Sequence, residues 1–122
     1  MTTWLSDDRP AALRLAYDIH KDELAKHGKT RAEFEQFLEE WDVQAIVRDH
    51  EVIGTRYTKD GRLHVSVHPK WHGRWMTRTI LKAIFDMPRV IVRPITPKDP
   101  VYGILTRLGF ADIGSDTMVK EH

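Results

Sequence analysis

The apolar positions change period along the chain, and each change marks an element. From about Asp8 to His27, Leu13, Tyr17 and Leu24 lie close to one helical stripe. Pro10 suits a first turn and Gly28 a stop, so the spacing predicts a helix. Thr30 and Glu33 then form a T-x-x-E capping box, and Phe34, Phe37, Leu38 and Trp41 follow at i, i+3, i+4 and i+7. This is an amphipathic helix whose stripe ends on a core tryptophan.

After Trp41 the period falls to two. Val43, Ala45 and Val47 alternate with Gln44, Ile46 and Arg48, Asp49-His50 makes a tight turn, and a second strand runs from Glu51 to Tyr57. Lys59-Asp60-Gly61 is a hairpin turn into a third strand, Arg62 to His68, with Leu63, Val65 and Val67 on one face and His64, Ser66 and His68 on the other. Pro69 stops it. Gly73 is expected to open a helix to about Phe85, carrying Met76, Ile80 and Ile84 on one stripe. Pro88 precedes a short buried strand, Val90 to Arg93. Thr96 and Asp99 bracket another helix start, with Pro97 in its first turn, Val101, Ile104, Leu105 and Leu108 as its apolar face, and Gly109 as its cap. The tail, Phe110 to Lys120, reads as short strands broken at Gly114-Ser115-Asp116. The order predicts one α/β (α+β) domain over residues 1–122, with helices flanking a mixed, mostly antiparallel sheet.

Composition narrows the chemistry. The 122 residues are 41% hydrophobic, enough for a core, and include no cysteine, which removes disulfides, thiolate nucleophiles and thiolate metal sites. No apolar run approaches the roughly 20 residues of a membrane span, and Met1 to Pro10 does not resemble a signal peptide. A soluble cytoplasmic protein without a membrane partner is expected. The net charge of +1 conceals an asymmetry: residues 62–94 hold seven basic groups against Asp86 alone. That third of the chain suits an anion. Its basic residues are spread over strand, loop and helix without a helix-turn-helix signature, so nucleic acid is not the expected partner.

The most informative stretch runs from Leu63 to Met76, where a strand ends in a loop containing Gly73 and a basic helix is expected to follow. A helix start presents unpaired amides and about half a positive charge. With Lys70 and Arg74 beside Gly73, this is a natural phosphate cradle. Neither G-x-x-x-x-G-K-[ST] nor a G-x-G-x-x-G after a first strand is present, which argues against nucleotide and dinucleotide loops.

On these residues the chain resembles the GNAT superfamily of acyl-CoA-dependent N-acyltransferases over nearly its whole length. Val67-His68-Pro69 leads into Lys70-Trp71-His72-Gly73-Arg74-Trp75, similar to the family's [QR]-x-x-G-x-[GA] loop, and Leu108-Gly109-Phe110 with Met118-Val119-Lys120 resembles its ending. The resemblance implies that the amides of His72, Gly73, Arg74 and Trp75 bind the CoA pyrophosphate. It also implies that the strand edge from Ser66 through Val67 to His68 pairs with the pantetheine arm and polarises the thioester. Three positions depart from the pattern. Lys70 replaces the Arg or Gln, Trp75 stands where Gly or Ala is usual, and Leu105 stands where a general-acid tyrosine is often found, with Tyr102 one turn earlier.

The expected activity is transfer of an acetyl group from acetyl-CoA to a primary amine, small-molecule or protein, by direct attack. His64 or His68 is the candidate base and Tyr102 the candidate acid. His20 and His27, on an early helix, are expected at the surface. His64, His68 and His72 fall on a strand, a strand end and a loop, so no metal is expected. Of Trp71 and Trp75, one is expected exposed and one buried. A homodimer is left open. The competing reading is a catalytically inactive GNAT-like binding or structural protein, of the degenerate kind found in phage particles and prophage regions.

Overall fold

The computed structural model describes residues 3–121. Seven strands form one sheet: β1 (Thr3–Ser6), β2 (Asp42–Arg48), β3 (Glu51–Lys59), β4 (Arg62–Val67), β5 (Arg89–Val92), β6 (Ala111–Gly114) and β7 (Thr117–Glu121). Their order is β1-β2-β3-β4-β5-β7-β6, and every neighbouring pair is antiparallel except β4 with β5. Four helices complete the fold: α1 (Arg9–Lys26), α2 (Arg31–Phe37), α3 (Arg78–Ile84) and α4 (Pro100–Arg107). No helix among the described residues is long and apolar enough to cross a membrane. The mixed, mostly antiparallel α/β architecture is the expected one.

The hairpin turns form where backbone chemistry favours them. Asp49 and His50 both take positive φ between β2 and β3, as do Asp60 and Gly61 between β3 and β4, matching the handedness that two-residue hairpins require. Between Ile46 and Val47 the register of β2 slips, so that Ile53 on β3 is bulged out of the ladder. Gly54, next to this bulge, lies so close to β4 that a Cβ there would stand 2.6 Å from the Ser66 carbonyl oxygen.

One core lies between the sheet and α3 and α4, around Ile46, Ile53, Ile80, Ile84, Leu105 and Met118. The other lies under α1, where the buried residues are Ala12 and Ala16 rather than the expected stripe of Leu13, Tyr17 and Leu24. Alanines let the helix sit close over Val43, Ala45 and Tyr57, while Leu13 packs at the margin. Arg56 crosses to the other face. Its buried guanidinium donates to the Ile84 carbonyl at the end of α3 (2.9 Å) and to the Gln44 side chain (2.8 Å).

Three helix boundaries differ from expectation. The capping box forms, with Thr30 and Glu33 bonded reciprocally. However, α2 ends at Phe37, leaving that ring 71% exposed, and Trp41 follows the helix half-buried. α3 begins at Arg78 rather than near Gly73, because the Thr77 hydroxyl caps the Ile80 amide (3.2 Å). Residues 69–71 form a short 3-10 turn instead. α4 begins at Pro100. The Asp99 carboxylate holds the Thr96 amide at 2.7 Å, and Asp99 itself is extended, as a residue before proline prefers.

Candidate active site

β4 and β5 pair only at Arg62 with Ile91 and Leu63 with Val92. β5 then ends while β4 runs on to Val67, so the two strands part. Backbone groups alternate sides along a strand. The Gly61 carbonyl accepts from Ile91 on the β5 side (2.7 Å), and the His68 amide donates to Ile53 on the β3 side (2.8 Å). By that alternation the main-chain groups of Val65 and Val67 face the gap, while those of Ser66 and His68 belong to the β3 ladder. Of the expected edge from Ser66 to His68, only Val67 therefore turns toward the gap, where Val65 joins it, and the Val67 carbonyl is already bonded to the His72 Nε2 (2.9 Å).

The gap opens into a cleft of about 390 Å³, walled by Val65 and Val67, by Leu81 on α3 and by Val101, Ile104 and Leu105 on α4. On the opposite face of the sheet a second cavity of about 760 Å³ lies between α1, α2 and β4. His64 and Val65 line both. The two spaces thus meet at the point on β4 where the strands separate.

His64 packs its ring against Trp41, with centroids 5.6 Å apart. Although its edge is exposed, partial desolvation, and then the Arg62 guanidinium, hold it below the ordinary histidine range. It is therefore neutral, able to accept a proton, at neutral pH. His68 lines neither space; its Nδ1 accepts from the Lys70 amide (3.2 Å). His20, expected at the surface, is half-buried over β4 with Nε2 3.0 Å from the Ser66 hydroxyl, inside the larger cavity. Burial lowers its pKa too. A separation of 46 positions between His20 and Ser66 leaves no spacing signal that could join them. His27 is exposed and paired with Glu23.

These two shifts set a pH dependence of stability. The unfolded chain protonates its histidines near the ordinary 6.5, whereas folded His20 and His64 resist protonation. Their contribution is complete above 6.5 and is lost as pH falls through the lowered folded values. Calorimetric Tm is expected to drop as pH falls below 6.5, and the double variant His20→Gln/His64→Gln should flatten that part of the curve.

The loop after β4 departs from a simple helix-start cradle. The His72 and Arg74 amides are spent in turns, on Pro69 (3.1 Å) and Trp71 (3.0 Å), leaving those of Gly73 and Trp75 outside these bonds. His72 lines the cleft, and its Nε2 must carry a proton, because it lies 2.9 Å from the Val67 carbonyl oxygen. Lys70 pairs with Glu51, and Arg74 lies over the Trp71 ring at 5.2 Å. Trp71 and Trp75 are both half-buried and both pack on the core, so the expected division into one exposed and one buried is corrected. Trp75 forms part of the cleft wall and leaves the cleft open.

Tyr102 does not line the cleft. Its hydroxyl donates to Asp112 on β6 (3.0 Å), and that carboxylate raises its pKa. Leu105 occupies the wall instead, buried.

No family model and no curated protein matches the chain. Solved structures match its fold. A spermidine N-acetyltransferase SpeG chimera from Vibrio cholerae and hSSAT superposes with a TM-score of 0.74 at 11% identity, covering 99% of this chain and 96% of the other. A GCN5-related N-acetyltransferase from Rhodopseudomonas palustris gives 0.66 at 15% identity, with 99% and 95% covered. A Thermoplasma acidophilum N-acetyltransferase, solved with coenzyme A, gives 0.59 at 11% identity over the full length of both chains. The fold of this chain is that of the GNAT acetyltransferases.

Proposed function

We propose that the protein is an N-acyltransferase that moves an acetyl group from acetyl-CoA to a primary amine by direct attack. A shared fold alone would not support this. The observation that carries it is the junction at His64 and Val65, where a cleft edged by free main-chain groups meets a separate cavity through a neutral imidazole.

In this reading the smaller cleft takes the pantetheine arm, whose amides extend the edge of β4 at the main chain of Val65 and the amide of Val67 as an added strand would. The apolar walls exclude water from the thioester. An amide of that edge donates to the thioester carbonyl and gains strength as negative charge develops on the oxygen. The basic loop, with the amides of Gly73 and Trp75, faces the diphosphate. The amine enters from the larger cavity, and His64 takes a proton from its nitrogen, directly or through a water. The nitrogen bonds to the carbonyl carbon, the carbon–sulfur bond breaks, and the electron pair leaves on sulfur. No tyrosine among the described residues lines the cleft. Sulfur leaves as thiolate and takes its proton from solvent.

Acetyl-CoA is expected to stabilise the protein. At a hundredfold excess over Kd the gain is about 2.7 kcal/mol, roughly an 11 °C rise in Tm. Val101→Trp, at a 37% exposed position on the cleft wall, should leave the Tm of the free protein nearly unchanged and abolish the ligand shift. A wild-type protein that does not respond to acetyl-CoA would leave the inactive binding or structural protein as the reading.

A further inference from the structure

The larger cavity also carries information about the acceptor. Its walls are Leu24 on α1, Phe34 and Phe37 on α2, then Leu38, Trp41 and Val65. Phe37 is 71% exposed, although it belongs to a helix with a well-formed cap, so most of its apolar surface is left uncovered by the described residues. At about 760 Å³ the space is of the size that holds a whole small molecule, and such sites are mainly apolar with a few placed polar groups.

The polar groups here are unevenly placed. The inner end holds neutral His64, and neutral His20 bonded to Ser66. Arg62 acts on His64 from the same strand and lies over the Trp41 ring at 5.4 Å. The carboxylates lining the cavity, Glu23 and Glu33, are both exposed. Glu23 is paired with His27, and Glu33 is bonded to Thr30. Lys29 lines the same rim and acts on Glu33, so a cation approaching from solvent gains little there, and one carried inward meets apolar walls and the Arg62 charge. A single amine can shed its proton to a histidine at the inner end. A second ammonium on the same molecule would lie between apolar walls and a rim whose carboxylates are already engaged by His27 and Thr30, which is costly.

We infer that the cavity between α1, α2 and β4 selects a monoamine with a bulky apolar body, aryl or branched alkyl, and discriminates against polyamines. This rests on the N-acyltransferase reading for its chemistry, and on the cavity itself for the ligand. The apolar body packs between Phe34, Phe37 and Trp41, and the amino group reaches the junction at His64.

The test uses the whole protein with phenethylamine, spermidine and acetyl-CoA as probes. Calorimetry and Trp41 fluorescence follow binding, and thiol release follows turnover. Phenethylamine is expected to exceed spermidine in kcat/KM by at least about tenfold, since each apolar group accepted in a fitted pocket is worth that much. Leu24→Trp, which fills the cavity, should raise KM for phenethylamine about tenfold and leave acetyl-CoA affinity unchanged. Phe37→Ala, on an exposed position that does not threaten folding, should weaken phenethylamine about fivefold with Tm unchanged. Spermidine as the better acceptor, or phenethylamine indifferent to both variants, would overturn the inference. Acetyl-CoA binding without any aryl amine binding also overturns it and leaves the acyltransferase reading standing. Phenethylamine binding that is sensitive to both variants, without acetyl-CoA binding, supports the ligand assignment and removes the acyltransferase reading instead.

Discussion

Replacing His64 with glutamine is expected to lower kcat about 1000-fold, the middle of the range for loss of a general base. The structure places this imidazole on the only lining shared by the two cavities besides Val65, and its depressed pKa keeps it unprotonated at neutral pH. In the wild type, kcat/KM should rise with pH through an inflection below the ordinary 6.5 and then level. Below the inflection His64 carries a proton and cannot take another, so the acid limb reports its titration. The variant should lose that limb together with the rate, while its KM for acetyl-CoA stays the same. Tyr102→Phe serves as the comparison, because its hydroxyl is directed to Asp112, and it should keep both rate and profile. An intact acid limb in His64→Gln would assign the base elsewhere, with His20 the next candidate.

The second large effect concerns Gly54. An alanine methyl would lie 2.6 Å from the Ser66 carbonyl oxygen and 3.3 Å from the Val67 Cα, and backbone atoms cannot swing aside as a side chain does. The cost expected for such overpacking is about 2 kcal/mol, or a fall in Tm of roughly 8 °C. The displaced segment is the end of β4 whose neighbouring edge faces the cleft. Gly54→Ala should therefore weaken acetyl-CoA more than its loss of stability explains, measured by calorimetry well below Tm. Unchanged stability and unchanged affinity together would mean that β3 and β4 can separate freely at this point.

Those two residues also show what could be read before the coordinates. The alternation from Val43 to Val67 and the Asp60-Gly61 turn placed β2, β3 and β4 to within a residue or two, because a half-buried hairpin writes its period directly into the chain. His64 was legible for the same reason, as part of a polar face. The cleft is legible only through resemblance, and which of Ser66, Val67 and His68 faces it is not, since that depends on the register with β3. The start of α3 is not legible from Gly73, because the cap comes from the Thr77 hydroxyl four residues later. β1 is a four-residue edge strand whose Trp4 is 47% exposed, too short for alternation to register. His20 lay beyond reach because its role comes from α1 folding back over β4, a tertiary event with no local signature. Tyr102 was misjudged for the opposite reason: helical spacing gives its position but not its partner on β6.

Arg56 has a bearing on how the cleft can respond to an occupant. It clamps the last turn of α3 to the sheet from beneath, buried and charged, with Asp86 and Asp42 favouring its charged form against desolvation. The opposite extremity of the same helix is joined to β4 by residues 72–77, which are largely at the surface. One end of the wall is therefore riveted, and the other is pinned by Trp75 on the core and by the Arg48 guanidinium, which donates to the Arg74 carbonyl (2.9 Å). With both ends anchored, the width of the gap sets the girth of what can enter it.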